Sequence, residues 1–398
     1  MKVLVLNCGS SSIKYQLYEM PAEDVVAKGL IQRIGSDESE AILQKDGKKW
    51  SMPWPIHDHQ AGITVMVRML TDPEKGVLSS MAEIKACGHR VVHGGERFTG
   101  SVLVDKELEK AIEEFFELAP LHNPPNLTGI REAKNVLGNI PQVACFDTAF
   151  HQTIPPVAYL YGLPYDMYEE HKVRRYGFHG TSHRYVARRA ARLMDRGKYD
   201  ADLITCHLGN GCSIAAVKGG RSVDTSMGLT PLEGLVMGTR TGDLDPALVF
   251  YLIRRGYTVE DLDRIFNKES GMLGISGISN DMRDLEEKAE EGNARARLAR
   301  DIFAYRIRKY IGSYMAVLNG CDGIVFTGGI GENDWLMRKQ ALCEMDQLGI
   351  QLDERKNQET VGQEGAVHAQ DSRVRVFVIP TNEEAAIARD TYERAGKK

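Results

Sequence analysis

Cysteine is sparse and scattered in this chain. The 398 residues carry seven, Cys8, Cys87, Cys145, Cys206, Cys212, Cys321 and Cys343, with no C-x-x-C pair among them. That absence excludes the common zinc and dithiol redox patterns and leaves buried free thiols as the plain reading. His179 and His183 stand four apart, a spacing that can present two metal ligands on one helix face, but no H-E-x-x-H pattern accompanies them. His183 by itself therefore reads as structural. Excess positive charge is also missing: 50 Lys and Arg face 55 Asp and Glu, a net charge of −5, so nothing points to nucleic acid as a partner. No apolar run approaches the roughly 18 residues of a membrane span. Val3 to Leu6 is too short for a signal-peptide core, and a cytoplasmic protein with no membrane contact is expected. The usual phosphate signatures are lacking too. None of the Gly-Lys pairs at 47/48, 197/198 and 396/397 is followed by Ser or Thr, and no G-x-G-x-x-G follows a strand. A nucleotide would have to be held by another device.

What is present is an ordinary globular composition, 42% hydrophobic and 26% charged, in a chain long enough for two domains. Short β-rich runs at Lys2 to Leu6, Ile84 to His93, Gln142 to Phe146, Leu203 to His207, Ile324 to Thr327 and Val374 to Ile379 alternate with helical patterns. Such alternation predicts an α/β fold. Helices are predicted at Asp105 to Ala119, where Leu108, Ile112, Phe115 and Phe116 form a stripe behind an Asp cap, and at Ala294 to Leu318.

The halves of the sequence resemble each other at an offset of about 200. The opening strand runs into Asn7-Cys8-Gly9-Ser10-Ser11-Ser12-Ile13-Lys14, and a second strand runs into His207-Leu208-Gly209-Asn210-Gly211-Cys212-Ser213-Ile214, aligning Ser12-Ile13 with Ser213-Ile214. A later strand in each half again meets glycines, at His93-Gly94-Gly95 and at Thr327-Gly328-Gly329-Ile330-Gly331. Each such turn alone is most simply a tight hairpin, since Gly, Ser and Asn favour turns. Several together in a duplicated chain suit anion binding, because backbone N–H groups exposed in small-residue turns form a concavity for phosphate.

Two long segments, Asn7 to Lys14 and Arg175-Tyr176-Gly177-Phe178-His179-Gly180-Thr181-Ser182-His183, closely resemble the signatures of the acetate kinase family. The resemblance continues through His207 to Gly211, Asp281-Met282-Arg283, Gly328 to Asn333 and Thr381-Asn382-Glu383-Glu384, so it covers essentially the whole chain. It implies the superfamily of sugar kinases and actin-like ATPases: duplicated ribonuclease-H-like domains, mixed sheets flanked by helices, and an interdomain cleft. The expected boundaries are 1–150 plus 384–398 for the N-terminal domain and 151–383 for the nucleotide-binding one.

The implied activity is reversible transfer of the ATP γ-phosphoryl group to acetate, giving acetyl phosphate and ADP. Such a transition state spreads negative charge over oxygens, so positioning and cationic stabilisation should dominate. By residue matching, Arg90 is assigned to acetate and phosphoryl binding, Arg240 to the transition state, and His179 to a hydrogen bond with the transferring group. Asp147 matches a carboxylate described as a proton carrier in the family. An acid acceptor is already ionised at neutral pH, so orientation of an arginine or of the metal site is the better expectation for Asp147. Asn7 and Glu383 match the Mg2+ side, with Mn2+ able to substitute. Glu383 also reads as a first-turn acid in a T-x-x-E capping box from Thr381 to Glu384. Lys14, His207, Leu208, Gly209, Asn210, Gly211, Asp281, Met282, Arg283, Gly329, Ile330, Gly331, Glu332 and Asn333 match the nucleotide contacts. Val92, Leu121, Phe178 and Pro231 match a small apolar recess for the acetate methyl group. Val92, bulkier than the Ala expected in propionate-preferring relatives, favours acetate. A homodimer is the family norm. The competing readings are a propionate kinase, a sugar kinase, which would need a catalytic base beside a hydroxyl pocket, and a non-transferring actin-like ATPase, which would typically carry Asp where Asn7 stands.

Overall fold

In the computed structural model, residues 1–396 are described; Lys397 and Lys398, the end of the segment assigned to the N-terminal domain, lie outside the described residues. The chain divides into two compact units, Met1–Ala149 together with the chain from Asn382, and Phe150–Thr381.

The first unit is built on a sheet of β1 (Lys2–Cys8), β2 (Ser12–Glu19), β3 (Asp24–Gln32), β4 (Glu40–Lys45), β5 (Lys48–Pro53), β6 (Ile84–Val91), β7 (Val102–Leu103) and β8 (Gln142–Phe146), in the order β5-β4-β3-β2-β1-β6-β8-β7. The unbroken apolar run Val3 to Leu6 is explained by burial of β1 on both faces. Leu4, Leu6 and Cys8 pack with Ile63, Met66 and Leu70 of the helix His59–Leu70. Val3 and Val5 pack with Ala385, Ile387 and Ala388 of the helix Glu383–Ala395. Full burial of such side chains contributes roughly 1.5–3 kcal/mol each. The last helix also lies close on β6, where a Cβ on Gly88 would come within 2.3 Å of Thr391 Oγ1.

The second unit repeats the core of this plan with β9 (Leu203–Leu208), β10 (Cys212–Lys218), β11 (Arg221–Thr225), β12 (Gly323–Thr327), β13 (Gly365–Ala366) and β14 (Arg375–Val378), in the order β11-β10-β9-β12-β14-β13. Both sheets run three antiparallel strands, β3-β2-β1 and β11-β10-β9, into two parallel ones, β6-β8 and β12-β14. The helix Gly180–Leu193 covers one face through Val186, Ala187, Ala190 and Ala191, and the helix Ala294–Leu318 packs on β10.

Three local expectations are corrected. Matching the hairpins by cross-strand partners, Asn7 opposite Lys14 and His207 opposite Ser213, puts Lys14 rather than Ser12 in the place of Ser213. The cause is loop length: Cys8 pairs with Ile13, but Leu208 pairs with Cys212. The helix expected over Asp105 to Ala119 is capped by Asp105 but stops at Glu114, leaving Phe115 and Phe116 to pack from irregular backbone. The last helix is capped by Asn382, whose side chain accepts from Ala385 N, and not by Thr381.

His89 and His151 are fully enclosed, His89 against Gln142 Oε1 at 2.5 Å and His151 between Ser222 Oγ at 2.8 Å and the Phe178 carbonyl at 3.0 Å. Burial pushes each of them down to about 4. The unfolded chain therefore binds more protons than the folded one between about pH 6.5 and 4. Stability should be insensitive to these groups above that window and fall as pH drops through it, by up to about 1.4 kcal/mol per pH unit for each histidine. Urea denaturation midpoints measured from pH 7.5 to 5 test this; a flat profile contradicts it.

Candidate active site

In the first unit the chemistry collects where β1, β6 and β8 end. The β1–β2 hairpin turns through Gly9, Ser10 and Ser11, with Gly9 N donating to Ser12 O at 2.8 Å. Asn126, buried at the start of the helix Asn123–Leu137, donates to Cys8 O at 2.7 Å and accepts from Val92 N at 3.0 Å, so it ties the hairpin to the exit of β6. Asn123 does the same for the next residue, exchanging bonds with the backbone N–H and carbonyl of His93. Sequence reasoning passed over both asparagines. The signal was Asn123-Pro124-Pro125-Asn126, prolines that start a helix flanked by two amides able to serve backbone groups.

Arg90, near the end of β6, meets Asp147, just past β8. Its Nε lies 3.2 and 3.0 Å from the two carboxylate oxygens and its Nη2 lies 2.5 Å from Oδ2. Glu383 Oε2 is 3.8 Å from the same Nε. Burial works against the charge of Arg90, but Asp147 and Glu383 outweigh it and hold the guanidinium above its usual value. Because Asp147 takes the Nε–Nη2 edge, Nη1 is the end left to meet another anion. Val92 is buried, whereas Leu121 is 69% exposed.

Glu383 is pushed up to about 7 by burial and by the neighbouring Asp147 and Glu384, with Arg90 opposing. Burial is the main cause, so a cation arriving beside this carboxyl would favour its ionised form. Among the described residues no three His, Cys, Asp or Glu side chains form a metal cage. Magnesium needs none, since it keeps several waters and takes one or two protein oxygens beside substrate phosphates. The carbonyl oxygen of Asn7 and the carboxylate of Glu383 fit that pattern. Lys14, opposite Asn7 in the hairpin, is exposed.

In the second unit His179 stands at the N-cap position of the helix Gly180–Leu193 in the left-handed conformation, φ 56°, uncommon for a residue with a Cβ. Its Nδ1 lies 2.9 Å from Ser213 Oγ, and its ring stacks on His207 at 4.3 Å. Phe178 is buried beside it. Arg240 is largely enclosed and donates to Pro231 O at 2.6 Å, and among the described residues no carboxylate pairs with it. Burial accordingly pushes Arg240 below its usual value. A desolvated guanidinium without a counter-ion is a site for an incoming anion.

A cavity of about 470 Å³ opens beside this group, lined by Gly209, Asn210, Asp281, Met282, Arg283, Gly329, Ile330 and Asn333, all candidates for nucleotide contact. Asn280, Glu286 and Asp334 also line it and were not anticipated; Asn280 is anchored by its 2.9 Å bond to Asn210 Oδ1. The other candidates support the wall from behind. Leu208 and Gly331 are buried, and the Glu332 carboxylate accepts from Gly328 N at 2.8 Å and Thr381 N at 3.1 Å. His207 is held by Ser182 Oγ at 2.8 Å from its Nδ1.

Two mixed sheets of one plan, each opening on a small-residue hairpin and flanked by helices, define a duplicated α/β protein of the actin-like ATPase type. The family model described as the acetokinase family matches residues 2–389, and the chain belongs to that family. It is 56% identical over 395 residues to an acetate kinase of Methanosarcina thermophila, covering 99% of this chain and 97% of that protein. An acetate kinase of Clostridium novyi is 53% identical over 394 residues, covering 99% and 98%. Among solved structures, the acetate kinase of Porphyromonas gingivalis aligns with a TM-score of 0.96 at 46% identity, covering 99% of each chain. A propionate kinase from Francisella tularensis aligns with a TM-score of 0.92 at 41% identity, covering 98% of this chain and 99% of that one.

Gly211, in the turn between β9 and β10, lies close against the Arg240 guanidinium. A Cβ there would lie 2.7 Å from Arg240 Nη2 and 3.7 Å from His179 Cε1. The end of an arginine side chain can move, so Gly211→Ala should fold with an unchanged melting temperature. Displacing the guanidinium by about 1 Å should still lower kcat by up to about 10²-fold. Equal loss of stability and turnover would show that the glycine serves folding instead.

Proposed function

We propose that this chain transfers the γ-phosphoryl group of ATP reversibly to acetate, giving acetyl phosphate and ADP. The observation that carries the choice of acceptor is the state of Asp147. A hydroxyl acceptor needs a base, but the buried Asp147 carboxylate is engaged along the edge of Arg90 and is poorly placed to take a proton. An acid acceptor arrives already ionised and needs none.

In this reading Arg90 Nη1 receives the acetate carboxylate and the phosphoryl group, with Asp147 as its positioning residue. An acetate oxygen attacks the γ-phosphorus as the bond to the β–γ bridging oxygen breaks, and ADP departs with that electron pair. Arg240 stabilises the charge on the equatorial oxygens and His179 donates a hydrogen bond to them. The methyl group sits against Val92, Leu121, Phe178 and Pro231, a recess in which one extra methylene changes affinity by only about 1–3 kcal/mol. Adenosine occupies the cavity between Asp281 to Arg283 and Gly329 to Asn333, with the hairpins His207 to Gly211 and Asn7 to Lys14 on the phosphates. Bound Mg2+, held by Asn7 and Glu383 with Mn2+ as a substitute, supplies neutralisation of the phosphate charge. ATP and acyl phosphates are cytoplasmic metabolites, which supports a cytoplasmic site of action; among the described residues no helix is long and apolar enough to cross a membrane.

A homodimer completes the reading. The helix Ala247–Ile253, Ala-Leu-Val-Phe-Tyr-Leu-Ile, buries none of its residues, and Leu248, Phe250, Tyr251 and Ile253 are exposed. A helix apolar on every side asks for a covering surface. Sedimentation of Phe250→Asp as a monomer beside a dimeric parent is the expected result; a monomeric parent removes the proposal.

The activity is tested by ADP formation with acetate, propionate, glucose or no acceptor. Acetate-dependent turnover, with a lower kcat/KM for propionate, is expected. Equal or greater propionate activity would overturn the Val92 reading, glucose-dependent turnover would indicate a sugar kinase, and acceptor-independent turnover an ATPase. Across pH, Asp147→Asn should lower kcat with an unchanged profile; loss of a limb would make Asp147 a proton carrier.

A further inference from the structure

His179 and His183, one helical turn apart, reach the same hydroxyl. Ser213 Oγ lies 2.9 Å from His179 Nδ1 and 2.7 Å from His183 Nε2, and His183 Nδ1 lies 2.7 Å from Thr205 Oγ1. The side chains form a line, Thr205, His183, Ser213, His179, running from inside β9 to the candidate site. Thr205, His183 and Ser213 are each 0% exposed, so their hydrogens need acceptors within the protein.

Counting hydrogens fixes the direction of the line. Burial pushes His183 well below its usual value and His151 and His207 act the same way, so its ring carries one hydrogen. If that hydrogen were on Nδ1, it would go to Thr205 Oγ1. The Thr205 hydroxyl hydrogen would then have no acceptor, since among the described residues this hydroxyl makes no other hydrogen bond. If it is on Nε2, Thr205 donates to His183 Nδ1, His183 Nε2 donates to Ser213, and Ser213 donates to His179 Nδ1. Every hydrogen is then used, and His179 must carry its own on Nε2.

We infer that Thr205 and His183, acting through Ser213, hold His179 as the neutral Nε2–H tautomer, so that it meets the transferring phosphoryl group as a hydrogen-bond donor without first gaining a proton. The inference rests on the assignment of His179 to that group. Arg240 agrees with it: the guanidinium and the His179 ring flank the same Gly211, and a second positive charge there is disfavoured. The left-handed backbone at His179 and the stacking of His207 on its ring leave the imidazole little freedom to turn over. Thr205 and His183 are positioning residues; neither touches substrate.

The test is 15N NMR of the full-length protein labelled at histidine, with the His179 resonances identified by their loss in His179→Asn. The parent should show Nδ1 bare and Nε2 protonated at neutral pH. Thr205→Val, nearly isosteric, removes the directing hydrogen at the far end. It should shift His179 towards a tautomer mixture and lower kcat about tenfold, less than the 10²–10³ that outright loss of such a donor costs, with both KM values within about twofold. His183→Gln keeps an amide donor for Ser213 and should keep the tautomer and most of kcat; should that variant fail to fold, Thr205→Val decides alone. A parent with the hydrogen on Nδ1, or a Thr205→Val protein with tautomer and kcat both unchanged, overturns the inference. A tautomer shift with unchanged kcat would instead overturn the assignment of His179 to the phosphoryl group and leave the relay standing.

Discussion

Each sheet places its chemistry by burying its first strand on both faces while leaving the end of that strand polar. Val3 to Leu6 cannot leave the core without exposing apolar surface on two sides, so the point at which Asn7 emerges is set by packing far from it. β9 obeys the same constraint, and its exit delivers His207 and the turn Gly209 to Gly211. Side chains brace both the strand ends and the loops beyond them: Asn126 and Asn123 in the first unit, and Ser182, Ser213 and Glu332 in the second.

The two arginines illustrate opposite uses of low dielectric. Arg90 is matched with Asp147 and has Glu383 close by, so its charge is secured and its orientation is defined by a bidentate partner. Arg240 has a carbonyl and, among the described residues, no counter-ion, so its burial is an uncompensated cost in the absence of an anion. The first arrangement gives geometry; the second gives affinity for charge that arrives or develops. Glu383 is the complementary case, a buried carboxyl set between Arg90, which favours its charge, and Asp147 and Glu384, which oppose it.

Much of this was legible in the sequence because it depends on local pattern. The apolar run of β1, the Asp105 cap, the long helix Ala294–Leu318 and the small-residue hairpins all follow from neighbours in the chain. Most residues lining the cavity of the second unit were legible as short segments, but not Asn280, Glu286 or Asp334, which reach it by folding. Glu332 looked like a ligand contact because of its segment, yet its carboxylate is occupied by backbone N–H groups of Gly328 and Thr381, the latter distant in sequence. The displaced hairpin alignment has the same origin. Identical Ser-Ile pairs attract an alignment, whereas strand register follows loop closure, and a one-residue difference between the turns shifts everything after it.

The helix Glu383–Ala395 covers the face of β1, β6 and β8 that the rest of the first unit leaves bare, yet it follows the entire second unit in the chain. During synthesis the second unit has all of its strands before the first has its full core. Val3, Val5, Val143 and Cys145 wait for Ala385, Ile387 and Ala388. The same helix carries Glu383, so the last structural piece to dock also brings the carboxyl proposed to hold the metal. A nascent chain is in this way kept from bringing Glu383 beside Arg90 before the core of its first unit is closed.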